Sequence, residues 1–346
     1  LTSLVDQSLI RAEDGDDEPR FAMLETIRSF AEELLDEAGE ADAVRDAHLA
    51  ACVDLVERAA PNLQGDDQRR WLDRLERDHD NIRAAIAWAI RRPAPAEAVR
   101  IAHAAWRFWQ QRGYLAEARR ILDGVAVGAG ELSPRERARL AEAFGGVAYW
   151  QADLPVAARW YDEALAVWRG EARTGGDLAR RELANALYNR AYVMVAEHFL
   201  GTPATPAADA GSQEMLREAL EIYRDLGDRA GEGNALWGLG GALMFAREPA
   251  VAEPLFRDAV ELHRSAGHRT MEAWSLHMLA TAILMQDRPE EARGPSAHAL
   301  RHFHGASDVA GITLALDTLA VIAVAAGDRA RGGRLWGAAR ELQRAS

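Results

Sequence analysis

The 346-residue chain contains no lysine; all 41 of its basic side chains are arginine. That absence excludes chemistry built on a lysine, whether a Schiff base, the phosphate-binding lysine of a P-loop or a lysine clamp on a peptide carboxylate. Cysteine is nearly absent too. Cys52 stands alone and cannot close an internal disulfide, so nothing in the sequence signals an oxidising compartment. Long apolar runs are missing: an uncharged one such as Thr318–Gly327 is about half of the ~20 residues a membrane span needs. Positive charge is in deficit, with 54 acidic residues and a net charge of −13, which argues against direct nucleic-acid contact by this polypeptide. No signal peptide opens the chain. It starts Leu-Thr-Ser-Leu without Met and reads as part of a longer, cytoplasmic protein.

What is abundant is alanine, 70 residues, the best helix former. Hydrophobic content of 49% and charged content of 27% suit a chain that buries a core. The length fits two domains or one elongated repeat array.

The opening differs from the rest. Leu4–Arg11 and Arg20–Leu24 are short apolar stretches around an acidic turn, Asp14–Pro19, and read as a small hairpin. Ile27, Phe30, Ala31, Leu34 and Leu35 then follow at helical spacing. This strand–turn–strand–helix resembles the wing and last helix of a winged-helix domain. Two long helices are expected at 42–59 and 67–91, punctuated by Pro61 and the Pro93/Pro95 pair.

The informative feature is an internal repeat. Leu239, Leu279 and Leu319 lie 40 residues apart, each followed by a small residue, Gly240, Ala280 or Ala320. Thirteen positions after each Leu comes Ala252, Ala292 or Gly332; seventeen after comes Phe256, Ser296 or Trp336; twenty after comes Ala259, Ala299 or Ala339. Phe144-Gly145, Ala157, Tyr161 and Ala164 continue the pattern backward. Small residues at fixed places let paired helices approach, and large ones fill the gaps between pairs, as in a stacked helix–turn–helix solenoid. The pattern resembles the tetratricopeptide repeat (TPR). The expected fold is all-α: a TPR-like right-handed superhelix preceded by helices and a winged-helix remnant. The expected division is 1–38 winged-helix end, 41–95 connecting helices, and 99–346 six repeats. An exposed insertion loop is expected at 201–211, where Pro203 and Pro206 sit among small residues.

Two segments, Arg20–Ala31 and Trp71–Trp88, together with this order of elements, resemble the C-terminal winged-helix and TPR region of STAND-type ATPases in large bacterial transcriptional regulators. These are the LuxR-type and SARP/AfsR-like regulators, MalT-like in plan; some adenylate/guanylate cyclase homologues carry the same module. The resemblance implies a sensor or protein-interaction region that docks on its own ATPase and DNA-binding domains and takes a small-molecule effector or regulatory protein, self-association being compatible with it. It implies ATP and Mg only in a part outside this chain, since no Gly-x-x-x-x-Gly-Lys-Ser/Thr occurs, and no catalysis by the chain itself. Two alternatives stand beside it: the regulatory region of a nucleotide cyclase, and a structural TPR scaffold.

In a TPR stack the first helix of each pair lines the concave groove. Counting from each repeat Leu places Tyr149, Asn185, Tyr188, Tyr192, Asn234, Trp237, Met244, Trp274, His277 and Asp317 there, with Arg100, His103, Arg107, Gln110, Arg139, Glu142 and Gly146 at equivalent earlier positions. Aromatic walls with a few amide and imidazole groups suit an amphipathic small molecule or an extended peptide. The competing reading is that these rings pack between neighbouring repeats. His298, His302 and His304 have spacing for a metal but sit at a helix end that favours His without one. Asp78-His79-Asp80 reads as a solvated helical face, and Cys52 as a small hydrophobe. The Gly238-Leu-Gly240-Gly241 run marks a close helix crossing rather than a nucleotide loop.

Overall fold

The computed structural model describes residues 2–13, 20–65, 67–91, 96–127, 132–199, 206–306 and 308–345. The chain opens with α1 (Thr2–Asp6) and a ribbon of β1 (Ile10–Glu13) and β2 (Arg20–Met23), antiparallel with Ile10 opposite Met23 and Glu13 opposite Arg20. The acidic turn expected at Asp14–Pro19 lies outside the described residues. Helix α2 (Glu25–Ala38) follows and stops at Gly39, whose φ of 72° is the left-handed conformation a glycine adopts without strain.

Helix α3 (Ala41–Ala59) matches its sequence pattern, but the single helix expected over 67–91 is two, α4 (Gln68–Arg77) and α5 (His79–Ile90). The break is made by Asp78. Its buried carboxylate accepts from Arg20 Nη2 at 2.9 Å and Asn81 Nδ2 at 3.1 Å, and pairs with Arg74 Nε at 3.0 Å. Those partners hold the carboxyl below its usual pKa against the opposing effect of burial. The solvated-face reading of Asp78-His79-Asp80 is therefore corrected. Only Asp80 is exposed, while His79 is buried between Phe108 and Tyr114, with ring centroids 5.3 and 4.4 Å away. The inward turn depends on Arg20, distant in sequence, which adjacent polar letters do not reveal.

Six helical hairpins complete the described chain. They are α6 (Ala96–Gln111) with α7 (Leu115–Val127), α8 (Pro134–Trp150) with α9 (Leu154–Glu171), and α10 (Gly176–Phe199) with α11 (Pro206–Asp225). Then come α12 (Arg229–Phe245) with α13 (Pro249–Ser265), α14 (Arg269–Leu284) with α15 (Pro289–Gly305), and α16 (Val309–Ala325) with α17 (Arg329–Ala345). From α8 onward, each second helix also packs on the first helix of the next pair. The result is an all-α, TPR-like stack with a two-stranded ribbon at one end. Within the loop expected at 201–211, residues 206–211 instead form the first turns of α11, and 201–205 lie outside the described residues. Pro206 sits at the helix start, where its fixed φ suits the first turn and its missing N–H is not needed.

Local chemistry explains the boundaries. Ser133 and Glu136 form a reciprocal capping box on α8, with Ser133 N–H donating to Glu136 Oε2 at 2.7 Å. Asp228 and Asp308, 80 residues apart, each cap a first helix by accepting from the N–H of Gly231 or Gly311 at 2.9 Å. The repeat pattern acquires its physical meaning in the contacts. A Cβ added at Gly240 would sit 2.7 Å from the Phe256 ring, and one at Gly145 would sit 2.7 Å from the Tyr161 ring. In the fifth pair the small residue is Ala280, and the facing position shrinks to Ser296. In the last pair Ala320 faces Trp336, which is 55% exposed.

Candidate functional site

The first helices α8, α10 and α12 share one row of aromatic rings. Tyr149 on α8 lies 5.3 Å from Tyr192 on α10, Tyr192 stacks with Tyr188 at 6.0 Å and 12°, and Trp237 on α12 lies 5.4 Å from Tyr192. All four are half-buried. Burial raises the three phenol pKa values, and the Tyr192 hydroxyl is directed at that of Tyr149. The indole N–H of Trp237 is buried and has no acceptor among the described residues. The glycine beside it lets the rings settle. A Cβ at Gly238 would meet Leu216 at 2.8 Å and Tyr188 at 3.3 Å.

Next to this row the surface becomes charged. Glu142 on α8 is buried and contacts His103 Nε2 at 3.0 Å through Oε2; it also accepts from the buried Trp168 indole at 2.9 Å through Oε1. Glu182 accepts from Asn185 at 3.0 Å and has its pKa raised, first by burial and then by the charge of Glu142. Arg107 on α6 lies 4.4 Å over the ring of Trp106, which itself covers Gly146, where a Cβ would meet the indole at 2.7 Å. Its charge reaches Tyr161 and Tyr188.

The ten residues placed in the groove by counting therefore divide. Tyr149, Tyr188, Tyr192 and Trp237 come together as one surface. Asn185 accepts from Tyr223 Oη at 2.7 Å, which ties α10 to α11. Asn234 contacts His263 Nε2 at 3.1 Å, while His263 Nδ1 contacts Ser275 Oγ at 3.0 Å. His263 is fully buried and its pKa falls to about 4 through desolvation, so the ring is neutral at neutral pH. The Asn185 amide is engaged at both ends, by Glu182 and Tyr223, and the Asn234 carbonyl oxygen is taken up by His263. Met244 is buried in the apolar core around Phe256, a correction to its groove placement. Trp274 packs edge-on against Phe303 at 5.0 Å, with His277 buried beside it and its pKa lowered to about 4 by burial. That pair forms a separate cluster. Asp317 is remote from the row and lines a cleft of about 430 Å³ with Val321, Val324 and Trp336 at the last hairpin.

A second cleft of about 450 Å³ between α3 and α6 is lined by Asp46, Asp54, Glu57 and Glu97, with Arg100 bound to Glu57 at 2.6 and 2.8 Å. Among the described residues no group of three His, Cys, Asp or Glu side chains is arranged to hold a metal, and no helix is long and apolar enough to cross a membrane. Cys52 is buried beside His48 and Asn81, and burial pushes its thiol up to about 11. Sequence counting placed Arg107 on the inner face but could not mark it as special. Tyr161 stood at a repeat position and covers Gly145, whereas Trp106 had its signal only in Gly146, which its ring covers.

No family model matches the chain. Over 121 residues it is 37% identical to proteins carrying the name HTH-type transcriptional regulator from Mycobacterium bovis and Mycobacterium tuberculosis, an alignment covering 34% of this chain and 13% of each relative. The chain thus spans a small part of these relatives' length. Among solved structures it resembles a Rap protein complexed with competence and sporulation factor, with a TM-score of 0.61, 14% identity, and coverage of 85% of this chain and 76% of that one. It also resembles a STAND protein with a tetratricopeptide-repeat sensor from Pyrococcus horikoshii, with a TM-score of 0.51, 15% identity, and coverage of 93% and 48%. At these identities the likeness establishes the fold: a TPR-like helical-repeat stack.

Proposed function

We propose that this chain is the sensor and protein-interaction region of an ATP-dependent bacterial transcriptional regulator, acting in the cytoplasm as a receiver rather than a catalyst. The observation that carries the proposal is the row Tyr149–Tyr192–Tyr188–Trp237, half-buried and continuous across three first helices. Trp237 also keeps an indole N–H that has no acceptor among the described residues and that a ligand in the groove could use. Such a wall stacks an amphipathic effector and offers it hydrogen bonds. The relatives named as regulators and the likeness to a STAND protein with a TPR sensor support the same reading. An effector bridging α8, α10 and α12 would favour one curvature of the stack and so bias docking on an ATPase and DNA-binding partner domain.

The test is native mass spectrometry of the purified chain for a co-purifying small molecule, followed by binding to wild type and to the Tyr192→Ala/Trp237→Ala variant. A loss of at least about tenfold in a folded variant is expected, since each ring contributes about 1 kcal/mol or more beyond its buried area. Unchanged binding would remove the groove and leave a scaffold.

A further inference from the structure

Arginines on the faces of α6 and α8 that meet acidic neighbours find them. Arg100 is held by Glu57, and Arg135 donates to Glu171 at 2.6 Å. Arg107, two turns along α6 from Arg100, does not. Among the described residues it forms no ion pair, and its polar partner is one amide, that of Gln64, whose oxygen turned inward lies 2.7–3.1 Å from the guanidinium nitrogens. One neutral acceptor serves a group with five N–H donors.

The surroundings make this costly. Arg107 is pressed on Trp106 and lies near Tyr161 and Tyr188, and desolvation lowers its pKa while that of Arg100 is raised. Arg107 is half-buried, and a guanidinium that is partly withdrawn from water without a counter-charge among the described residues leaves donors for a ligand to satisfy. Among the described residues, neither the Trp237 indole N–H nor the buried Nε–H of Arg139 has an acceptor. The Trp106 ring that Arg107 covers lies against Gly146 of α8, one turn from Tyr149, and so links the Arg107 end to the aromatic row.

We propose that Arg107 is the seat of an oxyanion, a carboxylate or phosphate borne by a small aromatic ligand whose ring stacks on Tyr188, Tyr192 and Trp237. The guanidinium supplies a planar fork that fits either group through two parallel hydrogen bonds, and the anion provides the charge the fold leaves out. This assignment rests on the groove reading above and adds the chemistry of its ligand.

The probes are benzoate and phenyl phosphate, with neutral benzamide as control, followed by melting temperature and tryptophan fluorescence of the full chain. In wild type both anions are expected to raise the melting temperature more than benzamide does. In Arg107→Met and Arg107→Gln the anions should bind about 10- to 100-fold more weakly, the loss expected for charge-assisted hydrogen bonds. Benzamide binding should be unchanged, and without anion the variants should melt at or above the wild-type temperature. Arg107→Lys, which keeps the charge but loses the fork, should recover part of the anion response. Equal anion responses in wild type and both neutral variants, or no anion preference in wild type, would overturn the assignment. The Tyr192→Ala/Trp237→Ala variant separates the two levels. If it loses all three probes while Arg107→Met loses none, the groove stands and the oxyanion seat falls; if it loses none, the groove itself falls.

Discussion

Replacing Gly240 by alanine and Gly337 by alanine is the same chemical change in two helices, yet the structure assigns the two substitutions opposite signs. Both glycines lie inside helices, where alanine is favoured by about 1 kcal/mol. At Gly337 nothing lies within 4 Å of the new methyl, so α17 should gain about that amount. At Gly240 the methyl would lie 2.7, 2.8 and 3.1 Å from three atoms of the Phe256 ring. That ring is fully buried in the core between hairpins and has nowhere to retreat. Overpacking of this kind costs about 1–3 kcal/mol, which outweighs the propensity gain and leaves a net loss of about 1 kcal/mol. The two variants should thus differ by about 2 kcal/mol, roughly thirtyfold in a folding equilibrium. Urea unfolding is the assay, with the slope monitored because a repeat array unfolds through neighbour-coupled units. Amide exchange in α12 and α13 for one variant, and in α17 for the other, localises each effect. Adding Phe256→Leu to Gly240→Ala should cost less than the sum of the single changes, the relief that the natural Ala280 and Ser296 pairing embodies. Gly240→Ala stabilising the chain as much as Gly337→Ala would refute the reasoning.

Two other outcomes follow from buried polar groups. His263 has its pKa lowered from 6.5 to about 4, so the unfolded chain binds its proton first; its contribution of about 3 kcal/mol is present above pH 6.5 and is lost as pH falls toward 4. Urea midpoints should decline across that window in wild type and decline less in His263→Gln; identical pH profiles would show that the ring is not the titrating group. Asp78→Ala removes the carboxylate shared by Arg20, Arg74 and Asn81 and should cost about 3 kcal/mol, as for one partner of a buried ion pair. Hydrogen exchange of β2 and of the α4–α5 joint should accelerate together, and unaltered protection in β2 would show that Arg20 does not fasten the ribbon through this residue.

The repeat was legible because its period is written in residue size. Gly240, Phe256 and Ala259 have counterparts at 40-residue spacing in the following hairpins, and helix caps such as Ser133 and Asp228 are local chemistry that neighbours in sequence supply. The same size code placed first-helix residues on one side, which was enough to collect Tyr149, Tyr188, Tyr192 and Trp237. It was not enough for Met244, whose side chain lies in the core, nor for Asp317, which belongs to a different cleft. Periodicity determines which stripe of a helix is buried, not the angle at which one hairpin meets the next. Asn185 and Asn234 show the same limit from the side of hydrogen bonding, since their partners Tyr223 and His263 are reached only after the helices have stacked.

What the amino-acid sequence determined by itself was the number of hairpins, the small-to-large contacts that hold them, and the absence of lysine, disulfide and P-loop chemistry. The tertiary structure alone decided which charges keep partners. Arg100 and Arg107 are alike as letters and lie on one helix, but Glu57 comes within reach of the first and no described carboxylate reaches the second. Charge pairing depends on distances of a few ångströms between elements far apart in the chain, and those distances are set by packing.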